Sequence, residues 1–391
     1  MSGFDELVEE LKNHLDSSRQ NWLFGAGISC DGNIPLMYPL TDRVESIIKE
    51  GDNDKDKEIY DSILSDLDES AHVEHYLSHL GDLIAIAERV KGGVAIVNGQ
   101  SYTQIELRHL HGAIVSAIGG TVRYGYKKTQ DDEVIGTADE PIVEIAPHVE
   151  FVKGLFRSRA NLKSRSRLTF FTTNYDTLLE DALALEKYIV VDGFSGGAVG
   201  FWNAEKEFSR ATTDPERCLV YKLHGSIDWI RDEDRGLLRN RYGTKYLSNP
   251  SDIMIYPQAT KYVETQKDPF ASLFSGLRSS LNVNEDNVLV FCGYSFMDAH
   301  INSEIEAALK SSSNKTNVVA FVKEAPNDGV CVNPALDAWL QNSGFGKRVF
   351  VVGEKGVYHN SLEPVSDDQG KKFTWWTFAG LTEFINTGEV L

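Results

Sequence analysis

Four short polar segments, far apart in the chain, carry residue types that suit one phosphate-bearing ligand. They are Gly25-Ala26-Gly27-Ile28-Ser29, Thr172-Thr173-Asn174-Tyr175-Asp176, Lys222-Leu223-His224-Gly225-Ser226 and Cys292-Gly293-Tyr294-Ser295-Phe296. Gly25 and Gly27 let backbone N–H groups approach a pyrophosphate, and Ser29 adds a hydroxyl; without a ligand the same residues make a tight turn. Cys30 stands where a G-x-G-x-x-G pattern needs its third glycine, which disfavours a hydride-transfer dinucleotide domain. Asn174 offers a donor and an acceptor and Asp176 accepts only. Two apart past a strand, they suit a primary amide such as a nicotinamide carboxamide, or a positioned water, or else they cap the helix that follows. His224, flanked by Gly225 at a strand end, is placed to act as a general base near neutral pH or to serve the core. Ser226 and Asp228 are its neighbours in the site or plain turn formers. Gly293 permits close backbone approach, Ser295 can bond a ribose or phosphate, and Asp298 either caps the next helix or contacts a ribose.

Loops of this kind converge only if strands position them. Asn21–Phe24, Leu168–Phe171, Cys218–Tyr221 and Asn287–Phe291 are apolar runs that read as buried strands, each running into one of the four segments. In an open α/β sheet a nucleotide site forms where loops meet at the carboxyl ends of parallel strands. A helix over about 299–310 followed by a strand at 318–322 predicts a strand–helix–strand unit and so a mainly parallel sheet. The expected fold is α/β, Rossmann-like, with an inserted helical lobe over about 59–160 and no zinc ribbon. Stripes at Ile59, Ile63, Leu64 and Leu67, at Tyr76, Leu77, Leu80, Leu83, Ile84 and Ala87, and at Ile105, Leu110, Ile114, Val115 and Ile118 carry that lobe. Residues 51–58 read as a charged loop, 119–141 as a polar surface excursion, and 231–285 as loops with two helices. The expected domain division is 1–325 for the nucleotide-binding unit and 326–391 for an extension packed on the core or at an oligomer interface.

Composition narrows the function classes. The 391 residues carry a net charge of −19. That opposes direct nucleic-acid binding, which needs clustered Lys and Arg. Arg157, Arg159, Lys163, Arg165 and Arg167 lie close together, as a solvated helix end or a local basic patch. No apolar stretch is long enough to span a membrane and the N-terminus lacks a signal-peptide pattern, so a cytoplasmic location is the default. Cys30, Cys218, Cys292 and Cys331 form no C-x-x-C clip; they read as packing residues, and no metal is expected.

Taken together, the four segments resemble the sirtuin-like superfamily over roughly residues 20–310. GAGIS is similar to that family's GAGxS, TTNYD to its TQNID-type loop, KLHGS to its catalytic HG, and GYSF to its GxS loop, in the same order. The resemblance implies NAD+ as ligand, with Gly25, Ala26, Gly27, Ser29, Gly293 and Ser295 in its binding. It implies Asn174 and Asp176 around nicotinamide and water, and His224 as the base acting on the nicotinamide ribose. Two departures set the subtype: the four-Cys zinc module of deacylating sirtuins is absent, and Asn33-Ile34-Pro35-Leu36-Met37-Tyr38 keeps only Ile-Pro of a G-I-P-D-F-R-type segment. The chain thus looks like the sirtuin-like NAD+-hydrolysing effectors of prokaryotic antiphage systems. Its length is similar to the subunit that works with a HerA-like ATPase, which implies a homo-oligomer docked on such a partner. A zinc-free deacylase and an NAD- or ADP-ribose-binding assembly subunit of a DNA-processing complex are the competing readings. Contacts of Tyr38, Tyr175 and Asp228 with ligand stay open.

Overall fold

The computed structural model describes residues 3–129, 132–162, 166–210, 214–241, 250–255, 268–326, 330–367 and 370–390. In chain order the strands are β1 (Gln20–Phe24), β2 (Val94–Val97), β3 (Gln100–Thr103), β4 (Tyr126–Lys128), β5 (Glu133–Ile135), β6 (Thr169–Thr172), β7 (Ile189–Val191), β8 (Phe194–Gly196), β9 (Val199–Trp202), β10 (Arg217–Lys222), β11 (Gly225–Asp232), β12 (Gly236–Asn240), β13 (Pro250–Ile255), β14 (Asn287–Cys292), β15 (Thr316–Phe321), β16 (Val349–Gly353) and β17 (Gly356–His359). Eight of them form the central sheet in the order β17-β16-β15-β14-β1-β6-β10-β7. Every pairing in it is parallel except β16 with β17, which is antiparallel. The α/β, Rossmann-like expectation holds.

The strands are apolar on both faces because both faces are covered, as parallel sheets require. Side chains alternate between two cores: Leu23, Phe171, Leu219, Leu289, Phe291 and Val318 face one, and Trp22, Phe24, Phe170, Val220, Val290 and Val319 face the other. The helix Phe270–Leu281 packs in the first core through Phe270, Leu273, Phe274, Leu277 and Leu281. The helices Gly3–Leu15, Ala146–Ser158 and Phe378–Thr387 pack in the second. Trp375 is completely buried there, and its indole N–H donates to Gly353 O at 2.8 Å. β16 and β17 extend the same sheet, so residues 349–359 belong to its edge.

A third core holds the inserted lobe, with Val44, Ile59, Tyr60, Leu77, Leu80, Leu107, Leu110 and Ile114 at its centre. Its helices are Met37–Glu50, Asp54–Asp66, Val73–Arg89 and Gln104–Tyr124. Two hairpins, β2–β3 and β4–β5, accompany them, which helical periodicity alone does not reveal. Three local expectations are corrected. The charged run 51–58 already contains a helix start: Asn53 caps it, its Oδ1 accepting from Lys55 N at 3.0 Å. The helix Gln104–Tyr124 runs straight through Gly119 and Gly120, held by burial of Leu110, Ile114, Ile118 and Val122. Within 231–285 the described residues hold one helix, Phe270–Leu281, and strands where loops were expected: β11, β12 and β13 form a five-stranded antiparallel sheet with β9 and β8, in the order β13-β11-β12-β9-β8. Residues 242–249 and 256–267 lie outside the described set, as do Lys163 and Arg165 of the basic cluster. Arg159 of that cluster is buried, its guanidinium donating to the carbonyls of Ser17, Ser18 and Ser166, so it serves the core.

His148 sits between the helix that bears it and Phe378, with no exposed surface and, among the described residues, no hydrogen-bond partner for either ring nitrogen. Burial pushes its pKa down from 6.5 to about 4, against the opposing charge of Asp176. The unfolded chain takes this proton near pH 6.5 and the folded chain only near 4, so stability falls as pH drops through that window. Equilibrium unfolding of wild type against His148→Phe checks this. Wild type is expected to lose on the order of 3 kcal/mol more than the variant between those limits.

Candidate functional site

The four sequence segments all lie at the carboxyl ends of adjacent central strands. Gly25 follows β1, Thr173 follows β6, Leu223 follows β10 and Gly293 follows β14. β1 lies between β14 and β6, so its loop touches both neighbours.

Toward β14, the two glycine loops interlock. Gly25 N donates to Cys292 O at 3.2 Å and Gly27 N to Gly293 O at 3.0 Å. A Cβ on Gly27 would stand 2.6 Å from Gly293 Cα, and one on Gly293 would stand 2.5 Å from Ile28 N. Gly293 also has φ +66°, a left-handed conformation that suits glycine. The expectation that the amides of Gly25 and Gly27 point at a ligand is therefore corrected: both are used in closing β1 against β14. Gly25-Ala26-Gly27 forms the turn into a 3₁₀ helix, Ala26–Gly32, that delivers Ser29.

Toward β6, Ser29 is buried and its hydroxyl joins the two candidate polar residues. Ser29 Oγ donates to Asp176 Oδ2 at 2.8 Å and accepts from Asn174 Nδ2 at 3.0 Å. Asp176 Oδ1 accepts from Leu178 N at 3.0 Å, so this carboxylate caps the helix Leu178–Leu185 while facing Ser29. The two readings of Asp176 are compatible in one side chain. Asn174 is no cap: its backbone N–H donates to Thr172 Oγ1 at 3.0 Å, and its side-chain carbonyl Oδ1 is buried without a hydrogen-bond partner among the described residues. That oxygen is an acceptor in waiting, because a buried carbonyl left unpaired costs free energy.

His224 reaches across the strand ends to Asp298. Its Nε2 lies 3.2 Å from Asp298 Oδ2, with both residues buried. Asp298 precedes the helix Ala299–Lys310 and makes no side-chain capping bond, so its carboxylate serves the imidazole. A carboxylate so placed fixes the ring's orientation and stabilises it when protonated. Ser226 and Asp228 lie on β11 rather than in a turn. Ser226 Oγ donates to Tyr175 O at 3.2 Å, and Asp228 Oδ2 lies 3.5 Å from Arg241 Nε. Ser295 is exposed and its Oγ accepts from Met297 N at 3.4 Å, outside the buried network. Tyr38 is exposed on the lobe, its hydroxyl donating to Ser70 O at 3.4 Å. Cys30 packs beside the turn, with burial raising its thiol to about 11, and Cys292 is buried in the second core.

Four participants escaped the sequence reading. Lys222, quoted only as a flank of His224, is buried; its ammonium donates to Asp176 O and lies 3.0 Å from Glu180 Oε1. Glu180 and Asp181 are adjacent carboxylates in the otherwise apolar run Leu178–Leu185, and of the two Glu180 is buried. Arg241 bridges Asp228 and Asp181, at 2.5 Å from Asp181 Oδ1. Glu74 comes from the lobe and accepts the Tyr175 hydroxyl at 2.6 Å. Beside Asp176 lies a cavity of about 350 Å³, lined by Ile34, Val122, Val143 and Ile227 with Asp228 and Arg241. It has the size and the mixed apolar and polar lining of a small-ligand pocket.

Residues 168–345 match the SIR2-like domain. The matched stretch holds Asn174, Asp176, His224, Gly293, Ser295 and Asp298, while the Gly25–Ser29 loop lies before it. This supports a sirtuin-like family and is consistent with an NAD-using enzyme. No curated protein matches the chain. Among the described residues no helix is long and apolar enough to cross a membrane.

The Lys222–Glu180 pair anchors the loop that carries Asn174 and Asp176. Burial pushes the Glu180 carboxyl up to about 7, Lys222 opposing and Asp228 adding to it. Glu180→Gln leaves the buried ammonium without its counter-charge. Denaturant unfolding at pH 8, where the wild-type carboxyl is ionised, is expected to show a loss of about 3–5 kcal/mol.

Proposed function

We propose that this chain is an NAD+ glycohydrolase. The observation that carries the reading is the buried Oδ1 of Asn174, unpaired among the described residues, on an amide whose Nδ2 donates to Ser29 at the strand ends that also bear the His224–Asp298 pair. The SIR2-like match over these residues agrees with it. In this reading the nicotinamide enters the cavity beside Asp176. Apolar Ile34, Val122 and Ile227 receive the ring there, and the carboxylate of Asp228 favours its positive charge. The phosphates lie along the interlocked glycine turn, with Ala26 and Ser295 at its rim.

The reaction breaks the bond between the pyridinium nitrogen and the ribose C1′. Nicotinamide leaves as a neutral molecule with the bonding electron pair, so no proton is needed on the leaving group. A water oxygen bonds to C1′, and its proton passes to His224 and on to solvent. The products are nicotinamide, ADP-ribose and a proton. Asn174 Oδ1 accepts a hydrogen bond from the attacking water or from a ribose hydroxyl, which places it. Asp176 holds Ser29, and Ser29 holds the Asn174 amide. Asp298 stabilises the imidazolium that forms at His224. No step calls for a metal.

The family resemblance extends the proposal. A sirtuin-like effector of this kind depletes NAD+ during phage infection, works in the cytoplasm as a homo-oligomer, and is switched on by a HerA-like ATPase partner. Nicotinamide release from NAD+ is the assay, with that partner added and omitted. His224→Ala and Asn174→Ala are each expected to reduce kcat by about 10²–10⁴-fold in protein that circular dichroism shows to be folded. Release at wild-type rate by both variants would remove the assigned site. No release by wild type in either state, despite NAD+ binding, would remove the glycohydrolase reading.

A further inference from the structure

Tyr175 stands between the two polar residues of the β6 loop, and it is held from both sides. Its backbone carbonyl accepts from Ile227 N at 3.0 Å and from Ser226 Oγ at 3.2 Å, which ties it to β11. Its hydroxyl donates to Glu74 Oε1 at 2.6 Å, which ties it to the first turn of the lobe helix Val73–Arg89. Both side chains are buried, and Glu74 Oε2 has no hydrogen-bond partner among the described residues. A short hydroxyl-to-carboxylate bond away from water is a strong directional restraint. Burial and the neighbouring Glu74 charge keep the phenol protonated, well above its ordinary range, so the donor is always present. The lobe makes a second bond to the same region, Arg123 Nη2 donating to Ile227 O at 2.8 Å.

We infer that Glu74 is a positioning residue: through Tyr175 it fixes the β6 loop so that Asn174 and Asp176 face the ligand. The inserted lobe is thereby part of the catalytic apparatus although it contributes no group to the reacting atoms. This rests on the glycohydrolase reading for its kinetic consequence alone, since the restraint itself is a property of the loop.

The test compares Glu74→Leu, Glu74→Gln and Tyr175→Phe in the full chain, with kinetics of nicotinamide release and hydrogen–deuterium exchange over residues 172–178. Glu74→Leu removes the acceptor and is expected to lower kcat by about 10- to 100-fold with KM within about threefold, the scale of a misplaced catalytic group. Its exchange over 172–178 should quicken while exchange in β14 and β15 stays at the wild-type rate. Glu74→Gln keeps an acceptor and should restore kcat to within about threefold and protection to the wild-type level. Tyr175→Phe should behave as Glu74→Leu does. Unchanged kcat and exchange in all three overturn the inference. So does a loss that Glu74→Gln fails to rescue, or one that follows quickened exchange throughout the sheet. If wild type releases no nicotinamide, the functional reading fails, and local exchange over 172–178 alone decides whether Glu74 holds the loop.

Discussion

Ser29 Oγ has one proton and is surrounded by protein, so its two bonds are both directional choices: it gives to Asp176 and takes from Asn174. That single hydroxyl settles which way the Asn174 amide points, and so leaves its carbonyl oxygen without a hydrogen-bond partner among the described residues. Everything around it serves to hold Ser29 at that spot. The Ala26–Gly32 turn delivers it from β1, and β1 can approach β14 closely because Gly25, Gly27 and Gly293 present no side chains to each other. Were any of them to carry a Cβ, the loops would separate by more than the tolerance of a hydrogen bond.

Charge is distributed around this hydroxyl in two buried pairs and one partly exposed cluster. Lys222 with Glu180 lies under the β6 loop, His224 with Asp298 spans the strand ends, and Arg241 with Asp228 and Asp181 borders the cavity. Buried ion pairs add little net stability compared with apolar packing of the same shape. Their value here is geometric, since each fixes a loop whose backbone is outside the sheet ladder. The lobe acts in the same way through Glu74 and Arg123, contributing a hydrogen bond each to the β6 loop and β11.

Much of the architecture was legible because parallel strands buried on both faces are nearly pure apolar runs. Asn21–Phe24, Phe170–Phe171, Leu219–Tyr221 and Val288–Phe291 could hardly be read otherwise, and the loops at their ends followed. The small antiparallel sheet was not legible: Gly225–Asp232 alternates Ser, Asp and Arg with Ile and Trp, yet its polar side chains Ser226 and Asp228 are buried against the site rather than in solvent. A pattern rule that expects polar residues outside misreads such a strand. The helix start at Asp54 was hidden by charge, and the passage through Gly119 and Gly120 by glycine's poor helix propensity, which tertiary packing overrides. At the site, residue types at strand ends marked Asn174, Asp176 and His224, but pairing across the chain could not be read. Glu74 is far from Tyr175 in sequence and sits in an ordinary helical stripe. Nothing local distinguishes it from a surface carboxylate.

The loops after β1, β6, β10 and β14 are proposed to form one NAD+ site. The most direct measurement is the structure of the His224→Ala chain crystallised with NAD+. The nicotinamide ring is expected in the cavity between Ile34, Asp176 and Asp228, with a ribose hydroxyl or a water hydrogen-bonded to Asn174 Oδ1. Density for the dinucleotide away from these loops, or none at a concentration that saturates binding in solution, would contradict it.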